Sequence, residues 1–208
     1  MRRVYSDFLM LTEHTIARGP LKQFARWFRA AEHSRAIRYA NVMCLSTVDR
    51  RGNPDGRFVL LKGFDTKGFV FYGNCRSVKG VSLAAHPHAA LTLYWEPLHR
   101  QIRIQGRTTL VSAREADAYF RTRPRMSQLA AWASPQSAVV EDRAWLERRM
   151  ATYAQKFRGQ PVPRPPFWVG YRVVPSKIEF WQERPNRLHD RFVYTTRGRR
   201  WRVQRVAP

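Results

Sequence analysis

The sequence predicts a mainly β domain with flanking helices, arranged as an antiparallel barrel or sandwich. Roughly seven or eight short apolar runs are separated by turn chemistry, which is the pattern of a meandering sheet. Helical segments interrupt these runs irregularly instead of alternating with them, which argues against a doubly wound parallel sheet. There is also no GxGxxG or P-loop pattern to suggest a Rossmann or Walker nucleotide site.

The first 20 residues read as a loosely structured segment, and residues 21–208 as one domain. Leu21, Phe24, Ala25 and Phe28 recur at helical spacing, so residues 20–33 are expected to form an amphipathic helix. Residues 42–48 then read as a strand, GNPDG (52–56) as a turn, RFVLLK (57–62) as a strand, 65–68 as a turn and FVFY (69–72) as a strand. A short helix is expected over 77–86, with Ser77 able to cap it. Strands over 89–95 and 101–111 follow, and Gly106 marks a candidate bulge. Residues 114–121 and 141–157 return to helical spacing, with Leu146, Met150, Tyr153 and Phe157 on one stripe. PVPRPP (161–166) is a stiff connector. Strands near 167–174, 177–182, 190–195 and 201–206 complete the chain.

Composition narrows the function classes. Apolar residues make up 44% and aromatics 13%, enough for a packed core and too many for a disordered basic tail. No run of 18 apolar residues and no repeat period occur. The N-terminus lacks signal- and transit-peptide patterning, so a cytoplasmic location is the expectation. Cys44 and Cys75 have no CxxC or Cys/His spacing, and neither a disulfide scaffold nor a metal site is expected. The formal charge is +23, and 32 of the 38 basic residues are Arg. They are spread along the chain without a block. That spread reads as a compositional preference on a solvated surface, and attraction to polyanions or phosphorylated small molecules is the functional alternative.

Three segments carry candidate chemistry. In Arg187-Leu188-His189-Asp190-Arg191, an extended backbone places Arg187, His189 and Arg191 on one face, and Leu188 and Phe192 on the other. Three potential cations in a row suit a phosphorylated or carboxylated ligand, and the alternative is an exposed edge strand. In RFVLLK, Arg57 and Lys62 bracket four apolar residues. Strict alternation separates them onto opposite faces, so they converge only if the strand ends or bends before Lys62. Tyr119, Arg123 and Ser127 are spaced four and four, one face of a helix, although Pro124 limits its regularity. A phenol, a guanidinium and a hydroxyl together suit phosphate. Trp181 ends the aromatic strand IEFWQ and can wall a flat ring, although Trp is more often core. Gln136 and Ser137 lie in a polar loop (134–137). No catalytic triad, acid–base dyad or metal-ligand cluster is visible.

Taken together, RFVLLKGFDTKGFVFY (57–72), RQIRIQGR (100–107), YFRTRPRMSQLAAWASPQS (119–137), VPRPPFW (162–168) and IEFWQERPNRLHDR (178–191), with the closing RVAP, resemble the pyridoxamine 5′-phosphate oxidase family. The resemblance is collinear from about Leu21 to Pro208. It implies an FMN-binding split β-barrel working as a homodimer with shared sites. It also implies oxidation of pyridoxamine or pyridoxine 5′-phosphate to pyridoxal 5′-phosphate, with O2 as acceptor and H2O2 released. The flavin supplies the redox chemistry, which accounts for the missing triad.

By motif position, the resemblance assigns FMN to Arg57, Phe58, Val59, Leu60, Leu61 and Lys62, with Tyr72, Gly73, Lys79, Gln101, Gln136, Ser137, Trp181 and Arg191. Arg57 and Lys79 lie near its phosphate. Lys62, Tyr119, Arg123 and Ser127 hold the substrate phosphate. Arg187 and His189 lie over the substrate ring, Arg187 assisting the reaction. Arg2-Arg3-Val4-Tyr5 resembles a family segment that folds over the substrate. Two positions depart from the family: Gly73 stands where Thr or Ser is usual, and Val78 where Arg is usual. One lost charge-assisted hydrogen bond costs about 1.5–3 kcal/mol, so FMN is expected to bind more weakly. Arg76 is a possible substitute contact. The alternatives are a related split-barrel oxidase acting on another ring, such as a phenazine precursor, and a non-enzymatic polyanion binder.

Overall fold

The structure is a computed structural model and describes residues 10–198 and 200–208. The segment Arg2–Tyr5 lies outside the described residues. Residues 10–19 form no helix or strand, yet they are pinned to the sheet. Leu11 is buried and its N–H donates to Gln182 Oε1, and Ala17 O accepts from the Tyr194 hydroxyl.

Helix α1 (Pro20–His33) begins with Pro20 in its first turn, where a missing N–H costs nothing. Its apolar face buries Phe24, Trp27 and Ala31. Phe24 meets Phe64 and Phe69 edge-on, and Trp27 meets Phe180 the same way. These contacts anchor the helix to the sheet core.

The strands are β1 (Val42–Val48), β2 (Pro54–Leu60), β3 (Gly63–Asp65), β4 (Gly68–Asn74), β5 (His88–Trp95), β6 (Arg100–Leu110), β7 (Trp168–Gln182), β8 (Asp190–Arg197) and β9 (Arg200–Arg205). All form one antiparallel sheet in the order β2-β1-β5-β6-β7-β4-β3, and β8 and β9 branch from β7. Strand β7 is the branch point. Its first part pairs with β4 and its last part with β8, while β6 runs along both. The sheet therefore divides and curls, the split-barrel arrangement expected above.

Sequence reasoning cut β7 into two strands, at 167–174 and 177–182. The chain instead continues through Pro175, because the β6–β7 register slips there, between Gln105 and Gly106. A proline without an N–H is tolerated at such a bulge. Gly106 is required at the same place: a Cβ would lie 2.0 Å from the Val174 carbonyl oxygen. Two further differences are local. The expected turn at 52–56 is shorter, since β2 starts at Pro54, and Gly63–Asp65 forms a short strand against β4.

The remaining helices are α2 (Val78–Ala85), α3 (Ala113–Thr122), α4 (Arg125–Ala133) and α5 (Arg143–Lys156). Sequence reasoning missed α4, because the proline before it looked only like a break. Pro124 is its N-cap, and the extended backbone of Arg123 and Pro124 (ψ 145° and 140°) separates α4 from α3. Ser77 precedes α2 as expected but makes no cap hydrogen bond; its hydroxyl donates to Asn74 O and accepts from Lys79 Nζ. A second small core joins Phe120, Leu129, Phe157, Val162 and Trp168, with Met150 and Tyr153 packed against it.

Candidate functional site

A cleft of about 400 Å³ opens between β2, β4, α2 and the α3–α4 pair. Arg57, Lys62, Lys79 and Arg123 line it, and no carboxylate does among the described residues. Its geometry begins at β2. The strand stops at Leu60, Leu61 turns into the core, and the Lys62 N–H donates to Val70 O on β4. That bend removes the conflict with strict alternation, and Arg57 and Lys62 reach one cleft. Phe58, Val59 and Leu60 also line it, while the Leu61 side chain does not.

Arg57 donates to Thr47 Oγ1 (2.7 Å) and Leu45 O (3.2 Å) and pairs with Asp55. Lys79 is buried without a carboxylate partner among the described residues. Its Nζ donates to Ser77 Oγ and Gln136 Oε1, each at 2.8 Å. Burial, with a smaller contribution from the Arg57 charge, lowers its pKa to about 8. Gly73 makes room for this side chain, since a Cβ there would lie 2.7 Å from Lys79 Cε.

The far wall is aromatic. The Tyr72, Tyr119 and Trp168 rings lie nearly parallel, with Tyr72 4.2 Å from Tyr119, 5.0 Å from Trp168 and the last two 6.2 Å apart, and burial raises the Tyr72 pKa to about 12. Lys62 Nζ stands 6.0 Å from the Tyr119 ring centre. Arg123 packs on Phe120 and Trp168, and its Nη1 is buried without a hydrogen-bond partner. Desolvation lowers the Arg123 pKa. Unpartnered buried donors are uncommon and point to a missing acceptor.

Tyr119, Arg123 and Ser127 do not share one helix. The α3 helix ends at Arg123, and Ser127 sits in the first turn of α4, outside the cleft lining. Gln136 lines the cleft, whereas Ser137, with φ 74°, faces only a neighbouring cavity of about 620 Å³. Arg76 also lines that cavity and not the cleft, its guanidinium 5.0 Å from the Phe167 ring centre.

A second group forms on another part of the sheet. Gln101, Trp181 and Arg191 are far apart in sequence, yet they sit directly opposite one another on β6, β7 and β8. Arg191 is held by Glu179 through Nε (2.9 Å) and Nη2 (2.8 Å), and by Ala207 O through Nη1 (2.7 Å). The His189 ring lies 4.7 Å from Trp181, and its Nδ1 accepts the Arg184 N–H, which directs the ring proton to Nε2.

The extended conformation expected for 187–191 is not adopted. Pro185–Arg187 form a tight turn in which Asn186 and Arg187 have φ near +60°, and β8 begins only at Asp190. Leu188 is therefore exposed while Phe192 enters the core. Two adjacent non-glycine residues in the left-handed region are costly and mark a constrained segment. Within one chain, the cleft lining includes none of Gln101, Trp181, Arg187, His189 and Arg191.

Ser134, the first residue of the polar loop 134–137, also lines the cleft, and sequence reasoning passed over Asn74, Ala130, Ala131 and Trp168, which line it too. For Trp168 the available signal was its place in VPRPPFW, directly after the stiff connector.

Comparison with known proteins is consistent across the chain. A sequence model described as pyridoxamine 5′-phosphate oxidase matches residues 30–157, and one described as the pyridoxine 5′-phosphate oxidase C-terminal dimerisation region matches residues 168–208. A pyridoxine/pyridoxamine 5′-phosphate oxidase from Rubrobacter xylanophilus is 52% identical over 208 residues, covering all of this chain and 95% of that protein. One from Synechocystis is 48% identical, covering 95% of this chain and 92% of the relative. Among solved structures, PhzG from Burkholderia lata 383, determined with tetrahydrophenazine-1-carboxylic acid, superposes with a TM-score of 0.89 at 29% identity, covering 96% of this chain and 98% of its own. A Nostoc punctiforme FMN-binding protein shares the fold, with a TM-score of 0.72 at 19% identity, covering 93% of this chain and 99% of its own. Full-length identity near one half, matches to both family regions and the same split barrel lead to one conclusion: the chain belongs to the pyridoxamine 5′-phosphate oxidase family.

Proposed function

We propose that this chain is an FMN-dependent oxidase. It converts pyridoxamine 5′-phosphate and pyridoxine 5′-phosphate to pyridoxal 5′-phosphate, consuming O2 and releasing H2O2, with water consumed and NH3 released when the amine is the substrate. The observation that carries this reading is the cleft itself: four cations, no carboxylate among the described residues and one aromatic wall. A dianionic phosphate on a flat heteroaromatic ring is the complement of that lining.

The residues fit FMN. Lys79 is buried, lacks a carboxylate partner among the described residues, and has a pKa depressed by burial, so an adjacent phosphate would relieve its electrostatic cost. Arg57, Lys79 and Gln136 hold the FMN phosphate, with Gly73 and Tyr72 beside it. Backbone groups of residues 58–62 follow the cofactor's length. Lys62, Tyr119 and Arg123 hold the substrate phosphate, with Ser127 approaching from the start of α4. The chemistry FMN supplies when bound is removal of a hydride from substrate C4′ and delivery of two electrons to O2.

The second group completes the site from another copy of the chain, in a homodimer. Gln101, Trp181 and Arg191 of one copy border the flavin held by the other, and Arg187 and His189 cover the substrate ring. Two features support this pairing. The second group does not line the cleft of its own chain, and Phe58 beside the cleft is 77% exposed on the edge strand β2. Such an exposed aromatic next to a cleft marks an interface. Arg187 orients the substrate ring against the flavin and so assists the reaction.

The test is to add FMN and pyridoxamine 5′-phosphate and to follow aldehyde and peroxide together. Arg123→Ala should raise KM about a hundredfold or more, consistent with removing a charged hydrogen bond and a phosphate cation. Arg187→Ala should mainly lower kcat. Full activity in both variants would refute the assignment. The likeness to PhzG favours one second reading, a ring without phosphate. That reading predicts turnover of a phenazine precursor and indifference to Arg123→Ala.

A further inference from the structure

Most buried or half-buried arginines near the sheet are steadied by carboxylates: Arg57 by Asp55, Arg164 by Asp117, Arg172 by Asp65 and Glu115, and Arg191 by Glu179. Arg123 has no such partner among the described residues. Its guanidinium lies 4.8 Å from the Trp168 ring centre and 5.3 Å from that of Phe120. Trp168 is itself held by its neighbours where it does not face the cleft. Its ring lies parallel to Tyr72 at 5.0 Å, and Phe120 meets it edge-on. Its backbone N–H donates to Pro165 O, its backbone carbonyl accepts from Arg164 Nη1, and it pairs with Asn74 across the β4–β7 ladder.

The choice of an aromatic support has a chemical consequence. A carboxylate would neutralise Arg123 and occupy its donors. An indole face attracts the cation through its quadrupole and leaves the charge and the N–H groups available. The buried, unpartnered Nη1 is what such a support leaves behind.

We propose that Trp168 is a positioning residue that holds Arg123 uncompensated for the substrate's phosphate monoester, and so sets the cleft's affinity for phosphorylated rings. This rests on the reading above, in which Arg123 meets the substrate phosphate.

The test compares Trp168→Leu, Trp168→Phe, Arg123→Ala and the Trp168→Leu/Arg123→Ala double variant as FMN-loaded enzymes. Trp168→Leu should raise KM for pyridoxamine 5′-phosphate about tenfold or more, the scale of a desolvated cation–π contact, with a much smaller change in kcat. Trp168→Phe retains a weaker π face and should recover only part of that loss, leaving KM severalfold above the parent. In the Arg123→Ala background, Trp168→Leu should add little to KM, because it acts through Arg123. Additive effects would overturn the proposal, since they would show a structural role independent of Arg123. An unchanged KM in Trp168→Leu, with a raised KM in Arg123→Ala, would overturn the role of Trp168 alone. An unchanged KM in Arg123→Ala would overturn the phosphate subsite and this inference with it. If Trp168→Leu does not fold, Trp168→Phe carries the test: KM raised severalfold supports the proposal and an unchanged KM overturns it.

Discussion

Replacing Lys79 with methionine should move stability and cofactor binding in opposite directions. The residue is 7% exposed, and burial brings its pKa from the ordinary 10.5 to about 8. That drop corresponds to roughly 3 kcal/mol against the charged form, reduced to about 2 kcal/mol by solvent at the cleft mouth. Methionine keeps the stem and removes this cost, but it forfeits the hydrogen bonds to Ser77 and Gln136, worth about 1 kcal/mol in total because Gln136 can turn to water. The flavin-free variant should therefore be about 1 kcal/mol more stable than the parent at pH 7 by urea unfolding. Below pH 8 both folded and unfolded parent chains hold the Lys79 proton, and the penalty is constant. Between pH 8 and 10.5 the folded chain releases it first, so the unfolded state binds more protons and parent stability rises. The advantage of Lys79→Met should shrink across that interval. FMN affinity, read by flavin fluorescence quenching at pH 7, should fall about 10- to 150-fold, as expected for a lost charged hydrogen bond. A variant destabilised by more than about 1 kcal/mol, a stability difference that does not change from pH 8 to 10, or unaltered FMN affinity would refute this account.

Gly106→Ala places a Cβ 2.0 Å from Val174 O, which belongs to backbone and cannot swing away. Urea unfolding should show a loss of about 3 kcal/mol or more, and a neutral result would contradict the bulge. Glu179→Gln should free the Arg191 guanidinium while keeping the fold, and a fluorescence titration should show FMN binding about tenfold weaker. Unchanged affinity would remove Arg191 from the flavin site. Burial holds the Tyr72 and Tyr171 pKa values near 12 and raises that of Tyr194 as well. Unfolded tyrosines ionise near 10, so above that pH the unfolded state holds fewer protons and stability should fall. Absorbance at 295 nm should show these phenols ionising late, together with unfolding. Early ionisation of all eight tyrosines would contradict their burial.

Legibility followed how local the cause was. The 20–33 helix, the strand at 42–48 and the Gly106 bulge follow from spacing and from single residues with few backbone options, and α1, β1 and the β6–β7 slip reproduce them. Pro124 was read only as an interruption. It also starts a helix, because a fixed φ and a missing N–H suit a first turn as well as a break. Pro175 misled in the other direction, since whether a proline ends a strand depends on the register of its neighbour.

By itself, the sequence determined the fold class, the order of most elements and the family, since collinear motifs and periodicity are one-dimensional properties. Tertiary structure decided which residues meet. The turn after Leu60 joins Lys62 to Arg57, and the ladder across β6, β7 and β8 aligns Gln101, Trp181 and Arg191. A packed stack of rings gives Arg123 a support that spacing does not encode. Such contacts depend on register, curl and burial, which the chain acquires only when distant strands close on one another.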